Sequence, residues 1–261
     1  MQITHPQKTR GAFLSLAAVL MVAAAPSASA QVFTDTFTGG ASSLWQNEHG
    51  GWFAAGGAYD STFPANYPNT CSSLPFDLSD TVIECDVLGA NDGGIWVRSA
   101  DAPGTSVGRT GILLVTAPPS VASGVYWHVV PTGDGYGSII GAAPGLFVPG
   151  SNVHVRIEAT GNTYKAYING SATPATTLTD NTFSQGNVAL YDFSGQKFDN
   201  VVLNGTLVCS IPADLNCDGI VDGTDLGLLL GAWGASSGEA DLNSDGSVDG
   251  SDLGLLLGSW T

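Results

Sequence analysis

Val153-His154-Val155-Arg156-Ile157-Glu158-Ala159-Thr160-Gly161-Asn162-Thr163-Tyr164-Lys165-Ala166-Tyr167-Ile168 alternates apolar and polar side chains, turns, and resumes as a second β-type run. Successive side chains of a strand point to opposite faces. Val153, Val155 and Ile157 would therefore line a core while His154, Arg156 and Glu158 meet water. Thr160-Gly161-Asn162 supplies the turn, so the stretch predicts a hairpin with one buried face. Working outward, Val32–Phe37, Thr81–Leu88, Gly94–Ser99, Gly111–Thr116, Gly124–Pro131, Asn187–Phe193 and Lys197–Leu203 read as further strands. Gly, Pro and Asn punctuate them, and long helical patterns are absent. This pattern predicts a mainly β fold over residues 31–204, a single sandwich or jelly roll large enough for a real core.

Several motifs fall in a telling order. Phe33-Thr-Asp35-Thr-Phe37 comes first, then Gly94-Ile-Trp96-Val-Arg98 and the hairpin with its Asn169-Gly170 end. Gly186-Asn-Val-Ala-Leu190 and Phe198-Asp-Asn-Val-Val-Leu203 come last. That order resembles the concanavalin A-like, laminin-G-like jelly rolls. The resemblance implies a fold shared by sugar-binding modules, adhesion modules and glycosidases, so function has to come from the site.

Sugar recognition needs an aromatic face and a few orienting polar groups. Alternation puts Trp96 and Arg98 on one strand face, and Tyr126 and His128 on another with Trp127 opposite. These four are the candidate ligand residues. A retaining glycosidase needs two carboxyls about 5 Å apart. Glu84-Cys85-Asp86 places two acids on one strand face, as in laminarinase-type glucanases, but the third acid of that pattern falls on Leu88 or Gly89. The reading is a non-catalytic carbohydrate- or surface-binding module. A polysaccharide-degrading glycoside hydrolase is the alternative, and a structural or adhesive extracellular protein the third.

The C-terminal segment says one thing twice. Residues 213–234 recur at 240–261 with 17 of 22 positions identical. Each copy sets oxygen-bearing side chains at positions 1, 3, 5, 9 and 12 of a loop, a backbone carbonyl at 7 and Gly at 6, the spacing of a calcium loop. The first set is Asp214, Asn216, Asp218, Ile220 (carbonyl), Asp222 and Asp225, turning at Gly219. The second is Asp241, Asn243, Asp245, Ser247 (carbonyl), Asp249 and Asp252, turning at Gly246. Two Ca²⁺ ions are expected. Leu226, Leu229, Leu230 and Trp233 then come at helical spacing, as do Leu253, Leu256, Leu257 and Trp260, and two such stripes would bury both tryptophans. Position 12 is Asp rather than the EF-hand Glu, and no helix precedes either loop. Loop plus one helix, repeated, resembles a type I dockerin over 213–261. The resemblance implies a small α-helical calcium-binding domain that attaches a secreted protein to a cohesin-like receptor or cell-surface scaffold. It also implies contacts at positions 10–11, here Gly223-Thr224 and Gly250-Ser251, where Thr224 and Ser251 keep the hydroxyls while the basic contact residues of that family are absent.

Residues 1–30 read as a secretory signal peptide: Lys8 and Arg10, an apolar run from Gly11 to Ala25, and Ala28-Ser29-Ala30 before Gln31. No membrane-spanning segment is expected. Without Lys8 and Arg10, five basic residues face 23 acidic ones, a net charge of −18. That argues against nucleic acid and anionic membrane surfaces as partners. Four cysteines in an exported chain predict disulfides, with local pairing Cys71–Cys85 and Cys209–Cys217 chosen among three connectivities. Residues 205–212 would form a linker.

Overall fold

The computed structural model describes Met1, residues 30–116, Val121, residues 123–217 and residues 219–261. The signal-peptide features through Ser29, and Asp218 of the first loop, lie outside the described residues.

Fourteen described strands form two antiparallel sheets. β1 (Ala30–Asp35), β2 (Trp52–Ala55), β3 (Ala58–Ser61), β5 (Leu78–Leu88), β10 (Val153–Thr160), β11 (Thr163–Ile168), β12 (Thr176–Thr179) and β14 (Lys197–Leu207) make the first, in the order β12-β11-β10-β5-β14-β3-β2, with β1 also on β14. β4 (Thr70–Ser73), β6 (Gly93–Asp101), β7 (Arg109–Thr116), β8 (Val125–Val130), β9 (Ile140–Ala143) and β13 (Asn187–Asp192) make the second, in the order β4-β13-β6-β7-β8-β9. The opening hairpin forms as read, with Val155 opposite Ile168 and Thr160 opposite Thr163.

All nine strands expected from the sequence are present. β2, β3, β4, β9 and β12 were not legible, and each is four residues long. Four of them are sheet edges, where pairing on one side lets a strand stay too short to show alternation. β14 runs on to Leu207, three residues into the stretch expected as linker.

The main core lies between the sheets. Ile83, Cys85, Val87, Val155, Ile157 and Leu203 from one sheet meet Ile95, Val97, Ile112, Leu114, Trp127 and Leu190 from the other. A second apolar cluster covers the opposite face of the second sheet: Trp96, Leu113, Val115, Tyr126, Val130, Ala189 and Tyr191, with Val107 and Tyr136 from loops. That sheet is therefore buried on both faces, which explains why Gly111–Thr116 reads as continuously apolar. Gly94 is required where β6 meets β7, because a Cβ there would fall on the Leu114 carbonyl oxygen.

The expected Cys71–Cys85 bridge does not form. Cys71 sits on β4 of one sheet and Cys85 on β5 of the other, and both are buried free thiols. Cys85 belongs to the inter-sheet core, and burial pushes its thiol far above the ordinary range. Burial also raises the Cys71 thiol, to about 11. Proximity along the chain misled, because the connection between β4 and β5 crosses from sheet to sheet. Cys209–Cys217 is bonded as expected.

After β14 come two helices, α1 (Gly223–Gly231) and α2 (Gly250–Gly258). Each begins with a reciprocal capping box, Asp222 with Asp225 and Asp249 with Asp252, which satisfies amides that a helix start leaves open. Their apolar cluster is separate and small: Ala213, Val221, Leu229, Ala240, Val248 and Leu256. The halves clasp each other symmetrically. Gly234 N–H donates to the Val248 carbonyl (2.9 Å), and Thr261 N–H, 27 positions on, donates to the Val221 carbonyl (3.2 Å).

The tryptophans are not buried as the stripes predict. Trp233 is 48% and Trp260 46% exposed, and Leu230 and Leu257 are about half exposed too. Each helix ends at its third glycine, Gly231 or Gly258, so the tryptophan two residues later has left the helical stripe. The loop residues Val221 and Val248 fill the core in their place.

Candidate functional site

Tyr126 and His128 alternate out of β8 on the side away from Trp127, as expected, and both line a cavity of about 70 Å³. Asn66, Asp92, Leu113, Val115, Tyr136 and Tyr191 complete its wall. The Tyr126 and His128 rings meet edge to face with centroids 4.9 Å apart, and His128 lies 5.4 Å from Tyr136. Asn66 holds the far wall: its carbonyl accepts from Tyr136 Oη (3.0 Å) and its Oδ1 from Tyr191 Oη (2.9 Å).

The groups in this cavity favour their neutral forms. Burial lowers the His128 pKa, so the imidazole is uncharged at neutral pH, with Nδ1 3.1 Å from the Ser138 carbonyl oxygen. Burial raises the Tyr136 and Tyr191 phenols well above their ordinary value. Asp92 is the one carboxyl among the lining residues, and burial lifts it from 3.8 to about 6. The cavity thus offers hydroxyl, imidazole, amide and carboxyl groups among aromatic edges, a surface suited to a polyhydroxylated ligand.

The Asp92 shift has a measurable sign. Its folded pKa lies above its ordinary value, so ionisation costs the folded state. The stability it contributes is full below about pH 4 and lost as pH rises through about 6. Urea unfolding at pH 4, 5, 6 and 7 is expected to show a steeper loss of stability in the native protein than in Asp92→Asn. Parallel curves would refute this assignment.

Trp96 and Arg98 do not share a face. The register between β6 and β7 slips between Val97 and Ala100, and Arg98 adopts a φ of 46°. This bulge inserts an extra residue and re-aims the side chains beyond it. Trp96 is fully buried behind the cavity wall, its ring centroid 6.3 Å from Tyr136. Arg98 turns into the end of the sandwich. Its Nε donates to the Ser79 carbonyl (2.8 Å), and its Nη1 to Gly161 O (2.5 Å), Phe183 O (3.1 Å) and Tyr164 Oη (3.1 Å). Its Nη2 reaches Asp80 at 3.4 Å. Neither residue lines the cavity.

Asn66, Asp92, Tyr136 and Tyr191 escaped the sequence reading because they come from separate segments joined only by the fold. Glu84 and Asp86 do share the outer face of β5. His154, opposite Asp86 on β10, lies between them, with Nδ1 2.8 Å from Asp86 Oδ1 and Nε2 3.3 Å from Glu84 Oε2.

In the acidic loops the position-6 glycines take φ of 89° (Gly219) and 87° (Gly246), as such turns require. Asp225 accepts from the amides of Leu215 (2.8 Å), Asn216 (3.2 Å) and Asp222 (2.8 Å), and Asp214 from Gly219 (2.8 Å). In the second loop Asp252 accepts from Asn243 (3.2 Å) and Asp249 (2.8 Å), and Asp241 from Asp245 (3.1 Å) and Gly246 (3.0 Å). Among the described residues, no three His, Cys, Asp or Glu side chains gather as a metal cage. The donor set nevertheless fits a hard cation. Asp225 and Asp252 are buried, and the stretch 204–261 holds nine acids and no Lys, Arg or His. Thr224 and Ser251 stand at the second residue of each helix, where their amides donate to the capping Asp222 and Asp249.

No protein-family model matches the chain, and no curated protein matches it in sequence. Solved structures share its β-sandwich. The carbohydrate-binding module CBM66 from Bacillus subtilis superposes with a TM-score of 0.51 at 19% identity, covering 62% of this chain and 96% of the module. A Bacillus subtilis protein of unknown function with a galectin-like fold gives 0.53 at 9% identity, covering 68% and 97%. The chain thus has a galectin-like jelly-roll fold.

Proposed function

We propose that the jelly roll is a non-catalytic glycan-binding module and that the tyrosine-lined cavity is its site. The cavity itself carries the reading: neutral hydroxyl and imidazole groups set among aromatic rings on a sheet face. The CBM66 likeness supports it. Tyr126 and His128 contact the sugar, and Asn66 and Asp92 orient it.

The C-terminal repeat is, in this reading, a dockerin-type module over 213–261 that binds two Ca²⁺ through the twelve loop positions of its two copies. Eight aspartates among those positions, with Asp225 and Asp252 buried, in a stretch 204–261 that holds no Lys, Arg or His support it. Thr224 and Ser251, with the exposed Leu228, Trp233, Leu255 and Trp260, would face a cohesin-like receptor or scaffold of a secreted protein. Among the described residues no helix is long and apolar enough to cross a membrane.

A glycan array followed by calorimetry tests the sugar site. Saturable binding without turnover is expected, weakened at least tenfold by His128→Ala or Asp92→Asn. Turnover abolished by Glu84→Gln would instead support the hydrolase. No binding and no turnover, with calcium-dependent self-association, would support the structural role.

A further inference from the structure

We infer that the exposed ring of Tyr67 forms a second sugar subsite beside the cavity, so that the module takes two adjoining sugars of a glycan. The inference rests on the glycan-binding function proposed for the cavity. At about 70 Å³ the cavity holds a handful of waters, far below the roughly 300–1,000 Å³ of a site that encloses a whole small ligand. The edge of one sugar ring fits, and the remainder of the ligand has to continue over the surface next to it.

Tyr67 stands on that surface. It comes directly after Asn66, whose two oxygens hold the phenols of Tyr136 and Tyr191. Its ring meets Tyr136, a cavity wall, edge to face at 5.6 Å, yet it is 58% exposed. A lone exposed aromatic needs no explanation. This one is braced against the wall of a polar cavity. The segment that carries it is pinned by Asn69 N–H to Val107 O (2.8 Å) and by Thr70 Oγ1 to Phe63 O (2.6 Å). A held, half-solvated phenol ring beside a hydroxyl-binding cavity is a platform for the apolar face of the adjoining sugar.

Calorimetry on the full chain tests this with the methyl glycosides of glucose, galactose, mannose, xylose and fructose and the matching di- and trisaccharides. The sugar that binds is expected to bind about five- to tenfold more tightly as its disaccharide than as its monosaccharide. Tyr67→Ala removes that gain and leaves monosaccharide affinity within about twofold; Tyr67→Trp retains the gain. Equal mono- and disaccharide affinity, or equal losses for both in Tyr67→Ala, overturns the subsite while the cavity reading stands. No saturable binding by any of these sugars overturns both.

Discussion

A calcium chelator added to the chain is expected, on the proposed calcium sites, to abolish the helical far-ultraviolet signal while the sandwich stays folded. The two nine-residue helices are shorter than the roughly 12–15 residues needed for independent stability. Gly227, Gly231, Gly254 and Gly258 each cost about 1 kcal/mol of helix propensity relative to Ala. The cluster beneath them is six small or medium side chains, against an inter-sheet core many times larger. Nine acids without one basic residue repel each other across 204–261. Metal binding would then supply the folding free energy, roughly 4 kcal/mol per site at a thousandfold excess over Kd. Asp214→Asn or Asp241→Asn is expected to weaken calcium binding at least tenfold, because charge at the loop sets affinity. Identical spectra with and without chelator would defeat this prediction.

Arg98→Ala is expected to destabilise the sandwich by about 3–5 kcal/mol. The guanidinium is 2% exposed and joins four segments: the start of β5, the β10–β11 turn, the loop at Phe183 and the β6 bulge itself. Removing it takes a donor from the Ser79, Gly161 and Phe183 carbonyls and from Tyr164 Oη, and Phe183 O keeps the bond from Tyr164 Oη. Arg98→Lys should recover little, since one ammonium cannot reproduce a planar fork. Denaturant unfolding measures the effect, and a loss below about 1 kcal/mol would show that solvent replaces the bonds. Sugar affinity of the folded fraction should be unchanged, because Arg98 lies outside the cavity.

Those two regions show what could be read in advance. The alternation at Val153–Ile168 fixed a hairpin with a buried face, and the structure has it residue for residue. Tyr126 and His128 were legible as a pair for the same reason, since period two sorts faces wherever a strand runs regularly. Trp96 and Arg98 failed under that rule because a bulge interrupts the strand between them, and sequence carries no clear mark of it. The helical stripe failed at Trp233 and Trp260 because the helices end before them.

Local periodicity and repetition, which are properties of the chain itself, determined the nine longer strands, the two short helices, the acidic loops and the Cys209–Cys217 bridge. Tertiary structure decided what depends on contact between distant segments. It separated Cys71 from Cys85 by placing them in opposite sheets, turned Arg98 from a candidate ligand residue into a buried clamp, and brought Asn66, Asp92, Tyr136 and Tyr191 to Tyr126 and His128. The physical reason is that a strand's pleat is written every two residues, whereas a cavity wall is written by which strands and loops become neighbours.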